Sequence, residues 1–124
     1  MAVGLGVRKK ILLVDDTAEV LELSAALVAY FGYNYVCACN GFEALILIET
    51  DPSIDILFTD LQMPGMHGFE LAQRAKTIRT DLKVLYVTGH PSPIPDQPRE
   101  TLGPILRKPF GWRQLAEYLC LASA

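Results

Sequence analysis

Three aspartates stand where short apolar runs end, and carboxylates in such positions can bind a cation or act as nucleophiles. Asp15 and Asp16 follow residues 11–14, and Asp60 follows residues 54–59. Three carboxylates held close together repel one another unless a cation neutralises them. Mg²⁺ is the natural cation for such a group, because it takes oxygen ligands, usually one or two carboxylates with waters and phosphate oxygens. A carboxylate can also be the nucleophile that forms an aspartyl phosphate.

Two more groups follow apolar runs in the same way. Thr88 comes after residues 84–87, and Lys108 comes after residues 104–107. Phosphoryl transfer requires charge stabilisation on the phosphoryl oxygens, which a lysine and a hydroxyl donor can supply. Taken singly, Asp60 could cap a turn or helix and Lys108 could be an ordinary surface lysine. The five groups together favour phosphoryl chemistry.

The apolar runs indicate what positions these groups. Short runs rich in branched residues alternate with segments of helical spacing, which predicts an open parallel sheet with helices on both faces. Strands are predicted at 11–14, 33–38, 54–59, 84–87 and 104–107, and helices at 17–31, 42–49, 69–78 and 112–119. Because the carboxyl ends of parallel strands share one edge of the sheet, the five groups are expected to converge there.

Two helical segments carry more specific predictions. The last helix is expected to turn an inner face toward the sheet, made of Trp112, Leu115, Ala116 and Leu119. Between the fourth and fifth strands, residues 91–98 contain four prolines, so at most a short helix fits between about residues 96 and 102.

Length and composition limit the class of protein. The 124 residues predict a single domain, with residues 1–8 as a loose leader and a core over about 10–121. A net charge of -3 without charge runs argues against direct nucleic-acid binding. No segment is long and apolar enough to span a membrane, and no signal peptide is evident, so a cytoplasmic location is expected. Three cysteines show no disulfide framework, and Cys37 and Cys39 lack the partners that a zinc site needs.

The chain resembles the receiver domain of two-component response regulators over roughly residues 10–121. The motifs that carry the resemblance are Asp15-Asp16, Asp60 with Met63-Pro64-Gly65-Met66 and Gly68, Thr88-Gly89, and Lys108-Pro109-Phe110. The resemblance implies a flavodoxin-like fold of the chemotaxis-receiver type, with a five-stranded parallel sheet in the order 2-1-3-4-5. The family's fourth helix, between the fourth and fifth strands, is expected to be short or disrupted here.

The resemblance also implies a phosphoacceptor and a metal. Asp60 would accept a phosphoryl group from a histidine kinase or a histidine phosphotransfer protein. Asp16 and Asp60 would bind Mg²⁺ through their side chains, the backbone carbonyl of Gln62 would be a third ligand, and Asp15 would act through a bound water.

The remaining family positions include a departure. By resemblance, Lys108 would pair with the phosphoryl oxygens, Thr88 would donate a hydrogen bond to one of them, and Lys108-Pro109 would be a cis peptide. Many receivers carry an aromatic residue three positions before the lysine, which moves inward with the threonine. Here that residue is Ile105, so this switch is not expected, and the prolines of 91–98 disturb the usual output face.

Several readings of function stay open. The chain is expected to be a phospho-accepting signalling module and not an enzyme, either alone, within a phosphorelay, or as the receiver of a hybrid histidine kinase. A small hydrolase with Asp60 as nucleophile is the enzymatic alternative, although such enzymes usually carry an acid where Gln62 stands. A pseudo-receiver that binds partners without phosphate is a third. No membrane partner is expected, and a homodimer is left open.

Overall fold

Five parallel strands form one sheet in the order β2-β1-β3-β4-β5. The structure, a computed structural model, describes residues 9–90, 94 and 97–123. The strands are β1 (Lys10–Val14), β2 (Asn34–Ala38), β3 (Ile56–Asp60), β4 (Lys83–Thr88) and β5 (Ile105–Arg107). The helices of the described residues are α1 (Ala18–Tyr30), α2 (Gly41–Thr50), α3 (Gly68–Ile78) and α4 (Trp112–Ser123). The predicted fold class and strand order are confirmed.

Helices cover both faces of the sheet, so its central strands are buried on either side. Helices α2 and α3 pack with alternate residues of β1 and β3, such as Leu12 and Leu57, in one apolar cluster. Helices α1 and α4 pack with the intervening residues, such as Leu13 and Phe58, in a second. This two-sided burial is why the strand sequences are continuously apolar and do not alternate.

The connection from β4 to β5 is only partly described. Residues 97–104 contain no helical residue, and Ile94 is buried in the cluster beneath α2 and α3. Residues 97–102 therefore form no helix, which agrees with the prediction of at most a short one. Residue 96 and much of the proline-rich segment lie outside the described residues, as does the predicted leader, residues 1–8.

One predicted inner-face residue is wrong. Leu115 and Leu119 of α4 are fully buried, but Trp112 is 57% exposed. Trp112 is the first residue of a helix that starts five positions after β5 ends, so the first turn of α4 lies at the carboxyl edge, where the strands stop. The guanidinium carbon of Arg113 lies 5.2 Å from the centre of the indole ring.

The loop between β3 and α3 is held against the end of β3 by Gly68. The Gly68 N–H donates to the Leu61 carbonyl at 2.9 Å. A methyl group on Gly68 would lie 2.4 Å from the Asp60 carbonyl oxygen and 2.9 Å from the Leu61 Cα. Only glycine therefore permits α3 to begin this close to the backbone of Asp60.

Replacing Gly68 with alanine is expected to lower the free energy of unfolding by about 1–3 kcal/mol, since the new methyl group must displace backbone atoms. Urea denaturation at neutral pH measures this loss. Gly111→Ala is the matched control, because a methyl group there meets no atom within 4 Å. Equal stability of both variants would show that the loop moves freely away from Asp60.

Candidate functional site

Three carboxylates meet at the carboxyl edge of the sheet. Asp60 is the last residue of β3 and Asp15 directly follows β1, and the two strands are adjacent, with Val14 paired to Thr59. Asp15, Asp16 and Asp60 each offer an oxygen within 4.8 Å of the others. Within the described part of the chain, this is the single group of three or more acidic, histidine or cysteine side chains placed to hold a metal ion.

Asp15 is fixed by contacts at both of its oxygens. Its Oδ1 accepts a hydrogen bond from the Thr17 N–H at 2.9 Å. Its Oδ2 lies 3.6 Å from the Lys108 Nζ, in an ion pair that joins a carboxylate 8% exposed to a lysine 34% exposed. Lys108 therefore brings one positive charge to a group of three negative ones.

The backbone brings Lys108 and Thr88 to the same edge. The Lys108 N–H donates to the Thr88 carbonyl at 2.8 Å, which ties the end of β5 to the end of β4. The Lys108–Pro109 peptide bond is cis, as expected from the resemblance. All five predicted side chains thus lie at one edge of the sheet.

The Thr88 hydroxyl has two partners, and sequence reasoning missed both. It donates to the Gln62 Oε1 at 3.0 Å and accepts from the His90 N–H at 3.0 Å. The sequence analysis gave Gln62 a role only through its backbone carbonyl. The signal available in the sequence was its position two residues after Asp60, at the same edge as Thr88.

β4 contributes a buried aromatic ring two residues before Thr88. Tyr86 is 1% exposed and pairs with Ile105 across the β4–β5 ladder. Its ring meets Phe69 edge to face, with 5.0 Å between ring centres. Burial raises the pKa of the Tyr86 phenol, partly offset by a hydrogen bond with the Leu102 backbone. Residue 105 thus contributes a partly buried aliphatic side chain beside a fixed tyrosine.

The surroundings of Asp60 oppose the ionisation of its side chain. Burial, followed by the negative charge of Asp15, raises its pKa to about 6, while the Lys108 charge acts in the opposite direction. The side chain is 9% exposed, so little water is available to stabilise its ionised form. A cation placed among the three carboxylates would remove this cost.

An apolar hollow of about 260 Å³ opens beside Asp60. Its lining includes aliphatic side chains of α1, the rings of Phe58 and Phe110, and the charged residues Asp60 and Lys108. Leu23 of α1 belongs to the lining and is 69% exposed. Tyr30, seven residues further along the same helix, is 83% exposed. Asp60 therefore borders an apolar surface that a partner could cover.

Comparison with known proteins identifies the family. Residues 11–119 match the family model of the response regulator receiver domain, and the chain belongs to that family. It is a receiver domain of two-component signalling systems.

Individual relatives agree with this. The chain is 35% identical over 111 residues to the response regulator receiver protein CpdR of Brucella abortus, covering 86% of this chain and 90% of that protein. It is 31% identical to the receiver domain of the hybrid histidine kinase CckA, with a TM-score of 0.78 over 93% of this chain and 99% of that one. A receiver domain protein of Clostridium thermocellum gives 29% identity and a TM-score of 0.82, covering 92% and 93%.

Membrane association has one structural finding. None of the helices in the described residues is long and apolar enough to cross a bilayer. The expected cytoplasmic location stays a prediction.

Asp60→Asn is expected to stabilise the metal-free protein at neutral pH. Below about pH 4 the wild-type carboxyl is protonated in the folded and unfolded chains, so the two proteins should unfold alike. As the pH rises from about 4 to 6, the unfolded chain ionises first, and the folded wild type loses stability. Above pH 7 the variant should be more stable by about 1–3 kcal/mol.

Urea denaturation in a chelating buffer between pH 4 and 8 measures this difference. The expected result is a gap between the two proteins that opens with rising pH and then stays constant. A gap that is constant throughout would show that ionisation of Asp60 carries no cost in this fold. Glu22→Gln, at an exposed carboxylate of α1, is the control for replacing a carboxyl group by an amide.

Proposed function

We propose that Asp60 is the phosphoacceptor and takes a phosphoryl group from a phosphohistidine of a histidine kinase or a histidine phosphotransfer protein. The observation that carries this is the nearly buried Asp60 carboxylate, grouped with Asp15 and Asp16 and faced by the Lys108 charge. Phosphorylation then changes which partners the domain binds. The chain is a signalling module whose chemistry is performed on itself.

The reaction requires ionised Asp60. One carboxylate oxygen attacks phosphorus, the new O–P bond forms as the P–N bond breaks, and the electron pair of the broken bond stays on the imidazole nitrogen. The ring leaves as neutral imidazole when its other nitrogen carries a proton. The Lys108 ammonium then exchanges its contact with Asp15 for the phosphoryl oxygens, and the Thr88 hydroxyl donates to one of them.

The donor set fits a hard divalent cation. The side chains of Asp16 and Asp60 and the backbone carbonyl of Gln62 would hold Mg²⁺, with Asp15 acting through a water. All are oxygen ligands, as this ion prefers. When bound, Mg²⁺ neutralises the carboxylates and the incoming phosphoryl oxygens. The raised pKa of Asp60 supports this proposal, because it measures how poorly the protein alone accommodates the third negative charge.

The apolar hollow supports a protein phosphodonor. Val20, Leu21 and Leu27 of α1 line it beside Asp60, so a partner that buries an apolar helix face there would bring a histidine to the acceptor. A small hydrolytic substrate would have no use for this surface.

Gln62 separates the proposal from the hydrolase alternative. A hydrolase that turns over outside substrates needs an acid to protonate the leaving group. The Gln62 amide cannot lose or deliver a proton at neutral pH, and its oxygen is occupied by the Thr88 hydroxyl. The pseudo-receiver alternative is disfavoured because every group needed for phosphorylation lies at the one edge.

Incubation with a small phosphodonor such as acetyl phosphate and Mg²⁺ tests the assignment directly. Intact mass spectrometry should show one added phosphoryl group on the wild type, dependent on Mg²⁺ and absent from Asp60→Asn. Asp81→Asn should be labelled like the wild type. Labelling of Asp60→Asn at the wild-type level would refute the assignment, and absence of labelling in every protein would leave a phosphohistidine protein as the donor to test next.

Lys108→Ala is expected to separate metal binding from phosphoryl transfer. Its removal leaves Asp15 without a counter-charge, so Mg²⁺ affinity by calorimetric titration should be retained or increased. The rate of labelling by acetyl phosphate should fall by about 10- to 100-fold, because a preorganised cation is lost from the phosphoryl oxygens. Lys83→Ala, at an exposed lysine of β4, should change neither. Loss of Mg²⁺ binding in Lys108→Ala would show that the lysine supports the metal site, contrary to the role proposed for it.

A further inference from the structure

The Thr88 hydroxyl is already fully engaged in the unphosphorylated domain. Its oxygen accepts from the His90 N–H and its proton goes to the Gln62 Oε1, each at 3.0 Å. A hydroxyl has one proton to donate. Thr88 is fully buried, so water does not offer it a third arrangement. The proton cannot be given to Gln62 and to a phosphoryl oxygen at the same time.

The two partners of Thr88 differ in how readily they can move. His90 contributes a backbone N–H, and its carbonyl in turn accepts from the Arg107 Nη1 at 3.0 Å, which anchors that segment to β5. Gln62 contributes the end of a flexible side chain on an exposed residue. The hydrogen bond that breaks most easily is therefore the one to Gln62.

We propose that the Gln62 side chain is a positioning residue that restrains Thr88 in the unphosphorylated state and sets the balance between that state and the phosphorylated one. On phosphorylation, the Thr88 hydroxyl donates its hydrogen bond to a phosphoryl oxygen instead of to the Gln62 Oε1. The His90 N–H continues to donate to the hydroxyl oxygen and keeps it in place. This inference rests on the proposed function, since it requires Thr88 to contact the phosphoryl group.

The exchange makes Gln62 a competitor of the phosphoryl group. A side chain of similar length without a strong acceptor would leave the Thr88 hydroxyl without an acceptor before phosphorylation. The unphosphorylated state would lose that hydrogen bond, and the equilibrium would shift toward the phosphorylated state. A single neutral hydrogen bond of this kind corresponds to about a two- to tenfold change in an equilibrium constant. The Gln62 side chain thus sets the equilibrium between the two states through its hydrogen bond with Thr88.

Binding of beryllium trifluoride with Mg²⁺ tests the restraint as an equilibrium, since this complex imitates a phosphoryl group on a carboxylate. Fluorine NMR titration measures its affinity for the wild type, Gln62→Met and Gln73→Met. The Gln62 variant should bind it about two- to tenfold more tightly. Gln73 is exposed on α3, and its variant should bind like the wild type. Unchanged or weaker binding by Gln62→Met would overturn the proposal.

A double-mutant cycle with Thr88→Val identifies the route of the effect. Without the hydroxyl, Gln62→Met should leave the affinity unchanged, because residues that act through one hydrogen bond are not additive. The same gain in both backgrounds would overturn the proposal, since Gln62 would then act independently of Thr88. Thermal unfolding confirms that each variant is folded. If Thr88→Val does not fold, Thr88→Ala replaces it in the cycle.

The same titration keeps the two proposals apart. Failure of the wild type to bind beryllium trifluoride, together with no labelling of Asp60 by any donor, would refute the proposed function. Binding by the wild type with no effect of Gln62→Met would refute only the restraint by Gln62.

Discussion

Crowding of negative charge at one edge of the sheet is the constraint on which the site depends. Asp15 and Asp60 end adjacent parallel strands, so the fold forces their carboxylates together, and Asp16 completes the group. Burial and this crowding raise the pKa of Asp60 to about 6. The Lys108 ammonium offsets only part of the repulsion from its position beside Asp15. A carboxylate that is costly to ionise alone gains most from a cation placed beside it.

The remainder of the fold serves to hold this edge rigid. Two apolar clusters on opposite faces bury the apolar residues of the central strands, and a carboxylate at the end of such a strand has little freedom to withdraw. The hydrogen bond from the Lys108 N–H to the Thr88 carbonyl joins β5 to β4 at the same edge. Close contact of Gly68 with the Asp60 carbonyl fixes the loop that follows. Charges are thus kept together by backbone contacts and not by their own attraction.

Chemistry and recognition meet at Asp60. On one side lie the groups that would stabilise a phosphoryl oxygen, among them Thr88 with its proton held by Gln62. On the other lies the apolar hollow beneath α1, with Leu23 exposed at its margin. A partner covering the hollow would exclude water from Asp60, which strengthens every charge interaction there. The chain belongs to the receiver family over residues 11–119, a range that includes all of these residues.

The fold class, the strand order through the resemblance, and the five groups at the carboxyl edge could be predicted from the sequence, because buried strands and the residues that end them are local patterns. The predicted start of the third strand was wrong because burial does not imply pairing with a neighbouring strand. Ile54 is fully buried, but its N–H donates to the Asp51 carbonyl in a turn, and β3 begins at Ile56. The exposure of Trp112 and the hydrogen bond between Gln62 and Thr88 depend on tertiary packing and could not be predicted. That contact joins residues 26 positions apart on different elements, and no local pattern encodes where two side chains meet across a folded edge.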